Sequence, residues 1–221
     1  MTSHLTKKSP ARTYGGLSES ERIIERRERF LDAGLEVFGT VGLRGATVRN
    51  LCRTAGLTER YFYESFADTE ALFCAVYEKQ SAAFYTIFVA EMPRLPDDME
   101  SRIHASLDIY FTVMRNDRVV RVLLVEPMAG SERVAAMHHA TIRRYADFAA
   151  MLIRTDNPDL TLPDEFAPSV ALAINGACTS LTVQWMLDGY ATPQDILVKS
   201  CAMVVLGTMR FEASGSVPHS T

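Results

Sequence analysis

The stretch "TVRNLCRTAGLTERYFYESF", Thr47 to Phe66, decides the fold. Thr47 can cap a short helix running to Ala55, because its hydroxyl can accept a free backbone N–H of the first turn. Gly56 can take the left-handed conformation that stops that helix. Thr58 then caps a second short helix through about Ser65. Leu51, Ala55, Leu57, Phe62 and Phe66 are the apolar residues that would hold the two helices together, which leaves Arg60, Tyr61 and Tyr63 outside. Two short helices joined by a tight glycine turn and packed on a longer one make a helix-turn-helix.

Working outward, the pattern is helical nearly throughout and no segment repeats. Phe30, Leu31, Gly34, Leu35 and Phe38 recur at spacings of three and four and define a first helix from about Ser18 to Thr40, closed by Gly42 and Gly45. Asp68 caps a long fourth helix with a stripe of Phe73, Tyr77, Phe84 and Phe88, and Pro93 and Pro96 break the chain after it. A fifth helix follows Ile103, Leu107, Tyr110 and Met114, and a short sixth covers Val119 to Val125. The seventh carries Val134, His138, Thr141, Tyr145, Phe148 and Leu152, then "TDNPDLTLPDEFAP" reads as a loop. Two last helices span Glu165 to Asp188 and Pro193 to Phe211. The expected fold is all-α with nine helices. Residues 1–17 read as a flexible arm, 18–67 as the helix-turn-helix domain, 68–213 as a ligand-binding and dimerisation domain, and 214–221 as a disordered tail.

Composition narrows the classes. With 48% hydrophobic and 23% charged residues in 221, the chain is that of a soluble globular protein. No uninterrupted apolar run approaches the roughly 18 residues of a membrane span, and the lysines near the N-terminus precede no apolar segment of a secretory signal. Cys52, Cys74, Cys178 and Cys201 stand alone, without a CxxC pair or metal spacing, and read as reduced thiols in a cytoplasmic protein. The net charge of -4 is unevenly spread: residues 1–66 hold 11 Lys and Arg against 8 Asp and Glu, the remainder 12 against 19. A basic head on an acidic body fits a nucleic-acid reader. The second helix of such a unit enters the major groove with its first turn against base edges. Here that turn offers Thr58, Glu59, Arg60 and Tyr61: Arg can pair bidentately with guanine, Glu can accept from cytosine, and Thr can meet a thymine methyl or a phosphate.

The order of residues carries more. Phe30-Leu31 with Ala33 and Phe38, then Gly42, Thr47-Val48, Ala55-Gly56-Leu57, Thr58, Phe62-Tyr63, Phe66, and Glu70 with Leu72 resemble the N-terminal domain of the tetracycline-repressor (TetR) family of transcriptional regulators. The resemblance covers about residues 26 to 75, and "NGACTSLTVQWMLDGYATPQDIL" looks like the family's last two helices. It implies that Tyr63 contacts a phosphate and that Thr47 meets another at a helix N-terminus, where free N–H groups favour an anion. The chain departs from the family at Arg60 and Tyr61, where small residues are frequent, at Ser65, where His is frequent, and at Thr69, where a Lys often contacts the backbone. Arg44, Arg49 and the arm's Lys7, Lys8 and Arg12 are the candidates to replace that lost charge.

By the same resemblance the last two helices form an intersubunit four-helix bundle. Ile174, Cys178, Leu181 and Trp185 repeat at four and three, and the final helix is apolar nearly all round, with Cys201, Val204 and Val205 among the expected interface residues. The middle helices enclose a ligand cavity in the family. Polar groups on inward stripes are the candidate contacts, because a buried polar group needs a partner: His138, Thr141 and Tyr145 on the seventh helix, Asn175 and Thr179 on the eighth, with Phe88, Tyr110, Met114 and Met128 as apolar wall. The reading is a ligand-responsive regulator, expected to be a repressor, that binds a palindromic double-stranded DNA operator as a homodimer and is released by a small, largely apolar effector. No enzyme motif, cofactor fingerprint or metal ligand set is present, so catalysis, a cofactor and a membrane partner are not expected. The alternative is a helical small-molecule-binding protein or enzyme without DNA-binding function.

Overall fold

A computed structural model describes residues 18–156 and 167–213, so the expectations for the arm, for most of the 155–168 loop and for the tail lie outside the described residues. The described residues form nine α-helices and no strand: α1 Glu19–Gly45, α2 Val48–Ala55, α3 Glu59–Ser65, α4 Thr69–Glu91, α5 Met99–Val113, α6 Asp117–Val120, α7 Glu132–Asp156, α8 Ala167–Leu187 and α9 Gln194–Ala213. Between α6 and α7 the chain passes through a wide π-helical turn, Arg121–Val125, and a tight 3-10 turn, Glu126–Ala129.

Local chemistry fixes the starts. Ser18 accepts from the Glu21 N–H while the Glu21 carboxylate accepts from the Ser18 N–H, a capping box that opens α1. Thr47 and Asn50 do the same for α2, and Asp68 accepts from the Ala71 N–H for α4. Thr58 stands at the start of α3, yet its hydroxyl makes no capping bond, unlike the sequence expectation. The first helix runs past Thr40, but its last turn is separated by Gly42, whose φ of 77° and ψ of 170° only glycine adopts readily. Gly56, at φ 63°, ends α2 as expected.

One apolar cluster runs from Phe30, Phe62 and Phe66 through Phe38, Phe73 and Val76 to Val122, Val134 and Met186. The long helices α1 and α4 therefore carry the core of the N-terminal unit straight into the body, and Lys79 on α4 ties them outside by pairing with Glu28 at 2.7 Å and Asp32 at 2.9 Å. A second cluster joins Phe111 of α5, Cys178 and Trp185 of α8, and Leu197, Val198 and Cys201 of α9.

Two apolar faces stay uncovered. Leu172 and Leu187 on α8 are 52% and 65% exposed, and Ile196, Met203 and Val204 on α9 are 47%, 68% and 45% exposed. By mean hydropathy, 1.3 over Pro168–Leu187, α8 is long and apolar enough to cross a membrane, although only 22% of it is buried within the chain. Counting unbroken apolar runs misses it, because Asn175, Thr179, Thr182 and Gln184 interrupt the helix.

Candidate functional site

The N-terminal unit is held in shape by arginines of α1. Arg29 donates to the Ala55 carbonyl at 3.1 and 2.7 Å and to the Gly56 carbonyl at 3.2 Å, satisfying the C-terminus of α2 with a cation. Arg27 lies over the Phe66 ring at 4.4 Å and donates to the Ser65 carbonyl, the end of α3. Arg26 covers the Tyr61 ring at 4.3 Å and lies 3.9 Å from Glu64. Sequence reading counted these three as head charge only. The signal was their spacing just before Phe30, which puts all of them beside the helix-turn-helix. Phe62, wholly buried, meets Phe30 edge to face at 5.5 Å and locks α3 onto α1.

Of the expected DNA-contacting residues, Thr47, Arg49, Thr58, Glu59, Arg60 and Tyr63 are exposed along α2 and α3. Tyr63 is 60% exposed, and the Arg60 side chain 84%, its Nε paired with Glu64 at 3.0 Å. Tyr61 differs: it is half-buried under Arg26 and packs on the core instead of standing free. Arg44 turns toward the body and donates to the Ala129 carbonyl at 3.3 Å.

The body holds a cavity of about 220 Å³ between α4, α5, α7 and α8. Phe88, Tyr110, Met114, His138, Tyr145, Asn175 and Thr179 line it. So do Ile174 and Cys178, expected at the dimer interface, because α8 turns that stripe inward. Thr141 is buried but faces an adjoining groove between α4 and α7. Met128, 76% exposed, lines a second adjoining groove with Leu172 and Gly176 of α8. No Lys, Arg, Asp or Glu lines the cavity among the described residues.

Several of its polar groups have partners within the protein. The Tyr77 hydroxyl and His138 Nδ1 lie 2.9 Å apart. Burial pushes the Tyr77 phenol up to about 12, while burial and then the neighbouring His139 hold His138 below its ordinary range, so a neutral imidazole faces a neutral phenol. Tyr145 donates to the Ser81 carbonyl at 2.8 Å and touches the Ser81 hydroxyl at 2.6 Å. Phe84 stands edge-on to both Tyr145 and Tyr110. Sequence reading missed Tyr77 as a cavity group and Ser81, on the adjoining groove, as the partner of Tyr145. Ser81 was findable: it falls on the Tyr77, Phe84, Phe88 stripe where an apolar residue belongs.

Cavity and head meet at one seam. Leu123 and Leu124, in the π-helical turn, line the cavity. In the next turn Glu126 accepts the Leu43 N–H at 2.7 Å, its carboxylate filling the space where any side chain on Gly42 would stand. Arg44 bonds to Ala129 of the same turn, and Arg118 pairs with Glu36 of α1 at 2.7 Å.

Residues 30–76 match the family model described as bacterial regulatory proteins, tetR family. No curated protein matches the chain. Solved structures share its fold. The fatty acid degradation regulator FadR of Bacillus halodurans is 16% identical with a TM-score of 0.72, over 84% of this chain and 96% of that one. A tetR-family regulator from Streptomyces coelicolor is 19% identical with a TM-score of 0.69, over 87% and 84%. FadR from Bacillus subtilis, solved in complex with stearoyl-CoA, is 12% identical with a TM-score of 0.70, over 81% and 98%. The head thus matches the tetR family of bacterial regulatory proteins over residues 30–76, and the all-α body shares the fold of these solved regulators.

Proposed function

We propose that the protein is a ligand-responsive repressor: a cytoplasmic homodimer that holds a palindromic operator through Thr58–Ser65 and lets go when a small, largely apolar effector fills the cavity. The observation that carries this reading is the seam. The segment 121–129 forms part of the cavity wall and also grips the last turn of α1. A ligand that prefers one position of that segment biases the position of the head, and DNA weakens its binding by the same factor. The fourth helix, which runs from the head to Phe84 and Phe88 at the cavity, is the second lever.

The effector class follows from the lining. A charge buried among uncharged walls is costly, so the enclosed part of the effector is neutral, with one or two hydrogen-bonding groups for Tyr145, Asn175 or Thr179. The stearoyl-CoA bound by the Bacillus subtilis regulator supports an acyl chain as one such neutral part. The uncovered faces of α8 and α9 support a two-fold dimer, since a second copy buries both at once and sets two heads at half-site spacing.

Selection of bound sequences from random duplex DNA at near-physiological salt tests the reading. A recovered palindrome supports it. Recovery of unrelated sequences at background level, with and without cell metabolites added, would sink it.

A further inference from the structure

The groove between α4 and α7 carries the charges that the cavity lacks. Arg144 of α7 and Glu78 of α4 both line it, together with Ser81 and Thr141. Cavity and groove share a wall, because Tyr85, Tyr145 and Phe148 line both. The Tyr85 and Phe148 rings meet at 5.1 Å, and Tyr85 is 44% exposed, so solvent leaves it room to turn out of that contact. The Arg144 guanidinium donates to the Thr141 hydroxyl at 3.3 Å. Thr141 is itself buried, which gives the guanidinium a fixed anchor at the floor of the groove. No carboxylate of the described residues pairs with Arg144, Glu78 included, so its remaining N–H donors stay open.

We infer that the effector is a chain monocarboxylate, with its apolar chain in the cavity and its carboxylate on Arg144 in the groove. The inference deepens the reading of the cavity as an effector site and rests on it. Two observations carry it together. The cavity walls hold no charge, so an ionised group is costly inside and must stand where the neutral wall ends. Arg144 stands there, next to Tyr145 in the shared wall. A guanidinium fork matches a planar carboxylate through two parallel bonds, a geometry that an alcohol or an ester carbonyl cannot repeat. Glu78 limits the charge that the groove accepts. Arg144 is the one cation among its lining residues and Glu78 faces the same space, so a head group with several negative charges meets repulsion without a second positive partner. The gap between Tyr85 and Phe148 is the passage from groove to cavity.

The experiment titrates octanoate, decanoate and dodecanoate into the full-length protein by calorimetry, with decanol, methyl decanoate and decanoyl-CoA as comparisons. The expected result is saturable binding of at least one carboxylate, weaker binding of the alcohol and the ester, and no gain from the coenzyme A head. Arg144→Gln weakens carboxylate binding about tenfold, the scale of a lost charge-assisted bond, and leaves decanol binding unchanged. Arg143→Gln, which alters an exposed arginine outside the groove, leaves both unchanged. Circular dichroism confirms that both variants are folded. No binding by any of the three carboxylates overturns the inference, and so does an Arg144→Gln variant that binds as the wild type does. Equal losses in the two variants reduce the effect to general surface charge and overturn it as well. Tighter binding of decanoyl-CoA than of decanoate overturns the single-charge head. The titrations need no DNA, so failure of the protein to select an operator strikes the regulatory reading alone.

Discussion

Arg29 shows how a single side chain sets the angle between two helices. Its guanidinium closes the end of α2 from across the fold, so the turn at Gly56 is fixed by α1 as well as by its own backbone. Arg29→Ala should cost about 2 kcal/mol of stability, the scale of a lost charge-assisted bond, measured by urea unfolding, and should lower DNA affinity for all sequences alike. Arg60→Ala is its opposite. The residue is exposed and bonded only along its own helix, so stability should hold while binding loses about 1–3 kcal/mol at one base position, read by competition between operator variants. His138 gives a pH signature. Its folded value lies below the ordinary 6.5, so the unfolded chain takes up the proton first. The stabilising contribution is complete above 6.5 and is lost as pH falls through the depressed value. Thermal unfolding midpoints should drop over that window, and His138→Gln should flatten the drop.

At the scale of elements, the seam is where the cavity wall meets the head. Gly42→Ala forces a side chain into a backbone region that only glycine favours and against the Glu126 carboxylate, at a cost of about 1–3 kcal/mol. Glu126→Gln is the gentler probe: it weakens the grip on Leu43 without touching the cavity wall. Effector binding, followed by calorimetry, should survive it, while release of DNA by the effector weakens. The elements themselves were legible in the sequence, since caps, glycine stops and spacings of three and four are local. The seam was not, because Gly42 marks a turn locally but its partner lies 83 residues beyond Leu43. The half-burial of Tyr61 escaped for the same reason: exposure on an isolated short helix says nothing of an arginine arriving from α1.

At the scale of the whole molecule, the exposed apolar faces of α8 and α9 stand out. Apolar spacing identified both helices but could not say which side each presents, since both are apolar nearly all round. In the structure Cys178, Trp185, Cys201 and Val205 are buried within the chain, and Leu181 is half-buried. Of the expected interface residues Val204 stays open, together with Leu172, Leu187, Ile196 and Met203. Met203→Glu should therefore leave the fold intact and yield a monomer by sedimentation, with operator affinity reduced along with it. The same separation of head from outer face has a genetic corollary. On the dimeric reading proposed above, a copy altered only at Arg60 or Tyr63 keeps every exposed residue of α8 and α9 and should still pair with sound copies and waste them. Expressed in excess beside the intact gene, such an allele should derepress in a dominant fashion, and adding Met203→Glu to it should restore recessive behaviour.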